Sequence, residues 1–255
     1  LYHRNVTGPT TYSRYFLENL PGFLDTPGEY YFTDEGRHAG RLFIRLPGDR
    51  NPNRSVIEAA AEYILFDIHN NSNIEISGLD IRFSNALACG TADARHAALH
   101  TAAVRIIGTC SHVAVRNCRI SHAANGVTGY VEKKGDVLDF LDITDNDMHD
   151  IDGGGIGLSN GRSHYLLKDA GARLVHVSIL RNRLQNVGSR RLRHWGIGLH
   201  AMQVEAGEMV EVAGNVVDRT WGAGIMVFNG GDYEKGRVER PLIRTLIHHN
   251  KATNT

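Results

Sequence analysis

Six stretches of the chain share one order of apolar and polar positions: NIEISGLDI, HVAVRNCRI, FLDITDNDM, HVSILRNRL, MVEVAGNVV and RTLIHHNKA. Each reads apolar, variable, apolar, two turn residues, a seventh position, variable, apolar. The first apolar column is Ile74, Val113, Leu141, Val177, Val210 and Thr245, and the second is Ile76, Val115, Ile143, Ile179, Val212 and Ile247. The seventh position holds Leu79, Cys118, Asn146, Asn182, Asn215 and Asn250, and the last apolar column runs Ile81, Ile120, Met148, Leu184, Val217 and Ala252. Alternation of apolar and polar residues marks a strand with one buried face. Here the alternation slips at the same place in every unit, so the chain bends while both flanks still point inward. Asparagines stacked in one column can bond to their equivalents above and below. The pattern predicts an all-β chain, a right-handed parallel β-helix of three-strand coils.

A third strand is expected after the bend. It reads GIGL at 155–158 and at 196–199, GIMV at 224–227, and more weakly GVTGY at 126–130. Period two would place Ile156, Leu158, Ile197, Leu199, Ile225 and Val227 inside. The outer face would then carry one column of Thr128, Gly157, Gly198 and Met226, and another of Tyr130, Ser159, His200 and Phe228. Residues 1–70 lack the repeat and are read as a small N-terminal β-hairpin module capping coils 71–255. In that module, TPGEYYF and RLFIRLPG are strands around the turn DEGRHAG.

Composition narrows the setting. The 255 residues are 42% hydrophobic, enough for a full core, with 28 basic against 28 acidic side chains. That balance gives no long-range attraction for nucleic acid or an anionic membrane surface, and no apolar run is long enough to span a bilayer as a helix. The chain opens without Met and ends inside a repeat, so it is expected to be a piece of a longer protein, with coils truncated at the C-terminus. Three cysteines make no disulfide framework. Cys118 stands in the turn column, while Cys89 and Cys110 are placed in flanking loops where pairing stays open.

Candidate chemistry gathers along the Gly-Ile strands. Their heads carry His149, Asp150 and Asp152, then His194 and Trp195, then Trp221, and their tails lead to Arg162 and to Asp232. Convergent polar groups in a groove are the default site. Two carboxyl groups about 5–9.5 Å apart are what glycoside hydrolysis needs, and coils stack about 4.8 Å apart. Asp152, beside Trp195 and Trp221, is the expected acid or nucleophile, with Asp150 or Asp232 as its partner. His200 would bond a sugar hydroxyl from the floor, flanked by Tyr130 and Phe228 as aromatic platforms. Structural roles stay open for each: Asp150 in the glycine turn, His149 on the surface, the tryptophans as loop packing, Asp232 as solvated charge. No zinc spacing is present, and no cofactor is expected. Ca²⁺ on Asp150 and Asp152 is the one metal alternative.

The stretches YFLENLPGFLDTPGEYYF, GRLFIRLPG, NIEISGLDIRFSN and DMHDIDGGGIGLSN resemble bacterial parallel β-helix proteins of the pectin-lyase-like superfamily. They are similar to glycoside hydrolase families 141 and 120. Phe32 and Thr33 depart from the hairpin's usual Leu and Asp. The resemblance implies a secreted or periplasmic enzyme that hydrolyses a polysaccharide or oligosaccharide. A polysaccharide lyase or uronate epimerase, and a non-catalytic glycan-binding module, are the alternatives on the same scaffold.

Overall fold

The structure, a computed structural model, describes residues 20–33, 36–85, 101–133, 135–160, 172–189, 200–228 and 244–255. The chain divides into two compact units, residues 1–59 and 60–255. In the first, β1 (Tyr30–Thr33) and β2 (Arg41–Ile44) form the antiparallel hairpin that the sequence predicts, pairing Tyr31 with Phe43. Those two rings stack at 6.0 Å.

The second unit is a parallel β-helix built from three six-stranded parallel sheets. The first sheet contains β4 (Ser72–Ser77), β7 (Cys110–Arg116), β10 (Val137–Thr144), β13 (Arg173–Leu180), β16 (Gly207–Ala213) and β19 (Thr245–His248). The second contains β5 (Asp80–Arg82), β8 (Arg119–Ala123), β11 (Asp147–Ile151), β14 (Arg183–Val187), β17 (Val216–Thr220) and β20 (Lys251–Thr253). The third contains β3 (Ile64–His69), β6 (Ala102–Ile107), β9 (Val127–Tyr130), β12 (Ile156–Ser159), β15 (Met202–Glu205) and β18 (Ile225–Phe228). The register matches the predicted columns residue for residue: Ile74 with Val113, Val113 with Leu141, Leu141 with Val177, Val177 with Val210. Val113, Leu141, Ile143, Met148, Ile179 and Leu184 are all shut from solvent in one continuous core.

The bend between the first two sheets is an amide ladder. The backbone N–H of Asn146 donates to Oδ1 of Asn182, that of Asn182 to Asn215, and that of Asn215 to Asn250, at 2.8–3.0 Å. Each Nδ2 reaches back to a carbonyl of the preceding coil, Val115, Ile143, Ile179 and Val212 in turn. Cys118 replaces the amide at the foot of the ladder, its thiol approaching the Ile76 carbonyl at 3.6 Å. Cys110 opens β7 rather than lying in a loop, and it is a buried free thiol; Cys89 lies outside the described residues. Burial raises its pKa.

Two further phase breaks recur, one in five of the six coils and the other in all six. Non-glycine residues take left-handed backbone angles in the first sheet (Asn73, His112, Phe140, His176, Met209) and at the end of the second (Phe83, His122, Asp150, Asn186, Arg219, Asn254). Such a residue doubles the outward-facing position, as a bulge does. Leu138 and Leu141 point inward with Asp139 and Phe140 both outside; Met148 and Ile151 point inward with His149 and Asp150 both outside.

The third sheet differs from expectation in its fifth strand. Ile156 pairs with Met202 and Leu158 with Val204, so β15 takes the place expected of residues 196–199, which lie outside the described residues. The strand is fixed from its far end: Ala206, at φ 51°, turns the chain directly into β16. β3 and β6 open the same sheet; they lack the Gly-Ile signature, and β3 falls within the segment assigned by sequence to the N-terminal module.

Glycines at the heads of these strands let the bends stack backbone on backbone. A Cβ on Gly126 would sit 2.3 Å from the Gly155 carbonyl oxygen. Gly126→Ala is therefore expected to cost about 1–3 kcal/mol, read as a lower urea midpoint with an unchanged slope. Gly22→Ala, where a Cβ meets nothing within 4 Å, is the neutral control.

Candidate functional site on the third sheet and its entrance bend

The bend leading into the third sheet carries His149, Asp150 and Asp152. The left-handed angle of Asp150 turns its side chain outward beside that of His149. His149 Nδ1 lies 2.9 Å from Asp150 Oδ2, and Asn186 Nδ2 donates to Asp150 Oδ1. The His122 ring stands edge-on to that of His149 at 6.0 Å. The His149 bond, then the Asn186 bond, hold the Asp150 carboxyl below the usual carboxylate range. Asp150 is thus kept ionised, which suits a base or nucleophile and not a proton donor. With both oxygens engaged by donors, it also makes a poor Ca²⁺ ligand.

Because the folded pKa of Asp150 is depressed, its contribution to stability is complete above the unfolded value of about 3.9. It is lost as pH falls through the lower folded value. The urea midpoint of the unmodified chain is expected to fall more steeply between pH 5 and pH 3 than that of Asp150→Asn.

Asp152 accepts from Ser189 Oγ at 3.3 Å and donates its N–H to the Ala123 carbonyl. The row Ile151, Val187, Thr220 puts Trp221 two coils from Asp152, with Gly188 of the intervening coil between them. Trp221 is 51% exposed, so it does not wall in Asp152 as the sequence suggested. Arg162, His194, Trp195 and Asp232 lie outside the described residues.

On the sheet itself, His200 is not part of the floor. It precedes β15 and its Nδ1 accepts from the Ala223 N–H at 2.8 Å, and burial lowers its pKa. Glu205 takes the expected place of His200, giving the column Tyr130, Ser159, Glu205, Phe228. Ser159 Oγ donates to Glu205 Oε2 at 2.7 Å, and both residues are fully buried. Gln203 and Thr128 line the parallel column, separated by Gly157, and are also buried.

Tyr130 is 3% exposed and so is no open platform for a sugar ring; Phe228 is partly exposed. Burial, reinforced by the Glu205 charge, pushes the Tyr130 phenol well above its ordinary value. Thr128 Oγ1 and Tyr130 OH are buried with no hydrogen-bond partner among the described residues. An unpaired buried hydroxyl costs about 1–3 kcal/mol, so two of them on β9, two coils from Glu205, mark a place where stability has been given up.

Alternation alone could have found Glu205, since Met202, Gln203, Val204 and Glu205 alternate as cleanly as the GIGL stretch. Among the described residues, no group of three or more His, Cys, Asp or Glu side chains is placed to hold a metal ion. No protein-family model matches the chain, and no curated protein or solved structure matches it either.

Proposed function

We propose that this β-helix is a carbohydrate-active enzyme, a glycoside hydrolase acting on a polysaccharide or oligosaccharide along the third sheet. The observation that supports this reading most is the buried Ser159–Glu205 pair with, on neighbouring β9, the hydroxyls of Tyr130 and Thr128, which have no partner among the described residues. Carboxyl groups in contrasting environments are the basis of acid and base roles in glycosidic cleavage. Glu205 is shielded from water, where its electrostatic interactions are strongest. Asp150 is ionised at the bend. β12 alone spans roughly 10 Å at about 3.3 Å per residue, so Asp150 and Asp152, at its head, lie too far from the Glu205 end to share one bond with it. Asp232, which follows Phe228 by four residues in the chain, is the candidate partner of Glu205.

The test is incubation of the chain with a panel of neutral and uronic polysaccharides. New reducing ends without ultraviolet absorbance from an unsaturated product support hydrolysis. The absorbing product would instead support the lyase reading. Binding of the panel without any cleavage would leave a glycan-binding module.

A further inference from the structure

The outer face of the first sheet carries a second feature, remote in register from the Glu205 row. A groove of about 740 Å³ runs along the solenoid axis across six coils. Its floor is one register row in which acidic and small side chains alternate over five coils, Glu75, Ala114, Asp142, Ser178, Glu211, before Leu246 ends it in the sixth. Along one side stand the residues with left-handed angles, and three of their rings form a stack. Phe140 lies 4.7 Å from His112 and 4.4 Å from His176, nearly parallel to both. His176 is tied in turn to Asp139 at 2.7 Å. This wall is ordered before any ligand arrives, which lowers the entropic cost of binding.

The three floor carboxylates each engage a basic side chain with one oxygen. Arg116 bridges Glu75 at 3.7 Å and Asp142 at 3.2 Å, and His248 lies 3.0 Å from Glu211. The second oxygen of each makes no hydrogen bond among the described residues and remains available to a hydroxyl donor. With Arg116 and Arg244 against three acids, the groove is close to balanced in charge, which suits an uncharged ligand.

The period selects the polymer. Acids two coils apart recur about every 9.6 Å, and an extended peptide repeats one face about every 6.8 Å. A peptide would therefore fall out of step within one repeat. An extended β-1,4-linked sugar chain turns over at each ring and shows the same edge every second ring, a repeat close to two coils. Ala114 and Ser178 leave room for the rings between. Nucleic acid is disfavoured by the acids themselves.

We infer that this groove is a second glycan site that holds a neutral, extended β-1,4-linked oligosaccharide by hydroxyl-to-carboxylate bonds at Glu75, Asp142 and Glu211. The inference stands on the groove's own period and charge and does not depend on hydrolysis at Glu205. Calorimetric titration of the full chain with cellohexaose, xylohexaose and mannohexaose tests it. At least one is expected to bind, at least tenfold more weakly to Asp142→Ala and not at all to Ser178→Trp, whose ring fills a floor gap. Glu205→Gln is expected to leave this binding unchanged. No binding of any of the three overturns the proposal, as does binding that Asp142→Ala and Ser178→Trp leave intact or that Glu205→Gln abolishes. Stronger binding of a glucosamine hexamer overturns the neutral assignment. If Ser178→Trp fails to fold by circular dichroism, Glu211→Ala replaces it, with the same tenfold loss expected.

Discussion

Asn182→Ala is expected to lower the unfolding free energy by about 3–5 kcal/mol, since it orphans two buried backbone groups at about 1–3 kcal/mol each and leaves a small void. The Asn146 N–H loses its Oδ1 acceptor and the Ile143 carbonyl loses its Nδ2 donor, both inside the bend, where Asn182 is 1% exposed. Asn182→Asp should be worse still near neutral pH. It keeps an acceptor for Asn146 but presents a buried carboxylate to the Ile143 carbonyl and to Asn215 Oδ1, with no donor facing either. Part of that extra loss should return on acidification, when the carboxyl becomes a donor. Asn250→Ala, at the partly exposed end of the ladder, should cost only about 1 kcal/mol because water can replace the lost partner. Urea melts of the three variants at pH 7 and pH 4.5 give the ranking. Equal effects at positions 182 and 250 would mean that the ladder is ornament and the apolar columns alone hold the bend.

That ladder was readable in the sequence because it needs one residue type at one position in coil after coil. The other two phase breaks were not, because a left-handed angle in a bulge is tolerated by many side chains: the same column holds His112, Phe140, His176 and Met209. The trace they leave is indirect, an inward pair spaced by three instead of two, as in Leu138 and Leu141 or Leu184 and Val187. The doubled outer rows, and the groove beside Phe140, leave no stronger mark than this in the sequence. The third sheet was read through its glycines, which mark strand heads at Gly126, Gly155 and Gly224 but fail for β6 and β15. Between residues 196 and 205, two stretches alternate equally well. The choice is made by the tight turn at Ala206, a constraint that comes from the neighbouring sheet. The turn sets Glu205, and not His200, on the floor.

The sharpest consequence concerns the row that Glu205 completes. Glu205→Gln preserves shape and an acceptor for the Ser159 hydroxyl, and it removes the carboxyl. If the carboxyl only packs, any glycan cleavage should persist. If Glu205 transfers a proton or attacks the sugar, kcat should fall by about 10²–10⁴ in a variant that still folds. Tyr130→Phe carries the same contrast by another route. Deleting a buried hydroxyl that has no partner among the described residues should stabilise the free protein by about 1–3 kcal/mol. A hydroxyl kept for a substrate should at the same time raise KM or lower kcat, the exchange of stability for function that binding sites show. Gain in both stability and activity in Tyr130→Phe, together with an active Glu205→Gln, would remove the third sheet as the catalytic face. The opposite pair of results would make its unpaired hydroxyls part of the sugar-binding chemistry.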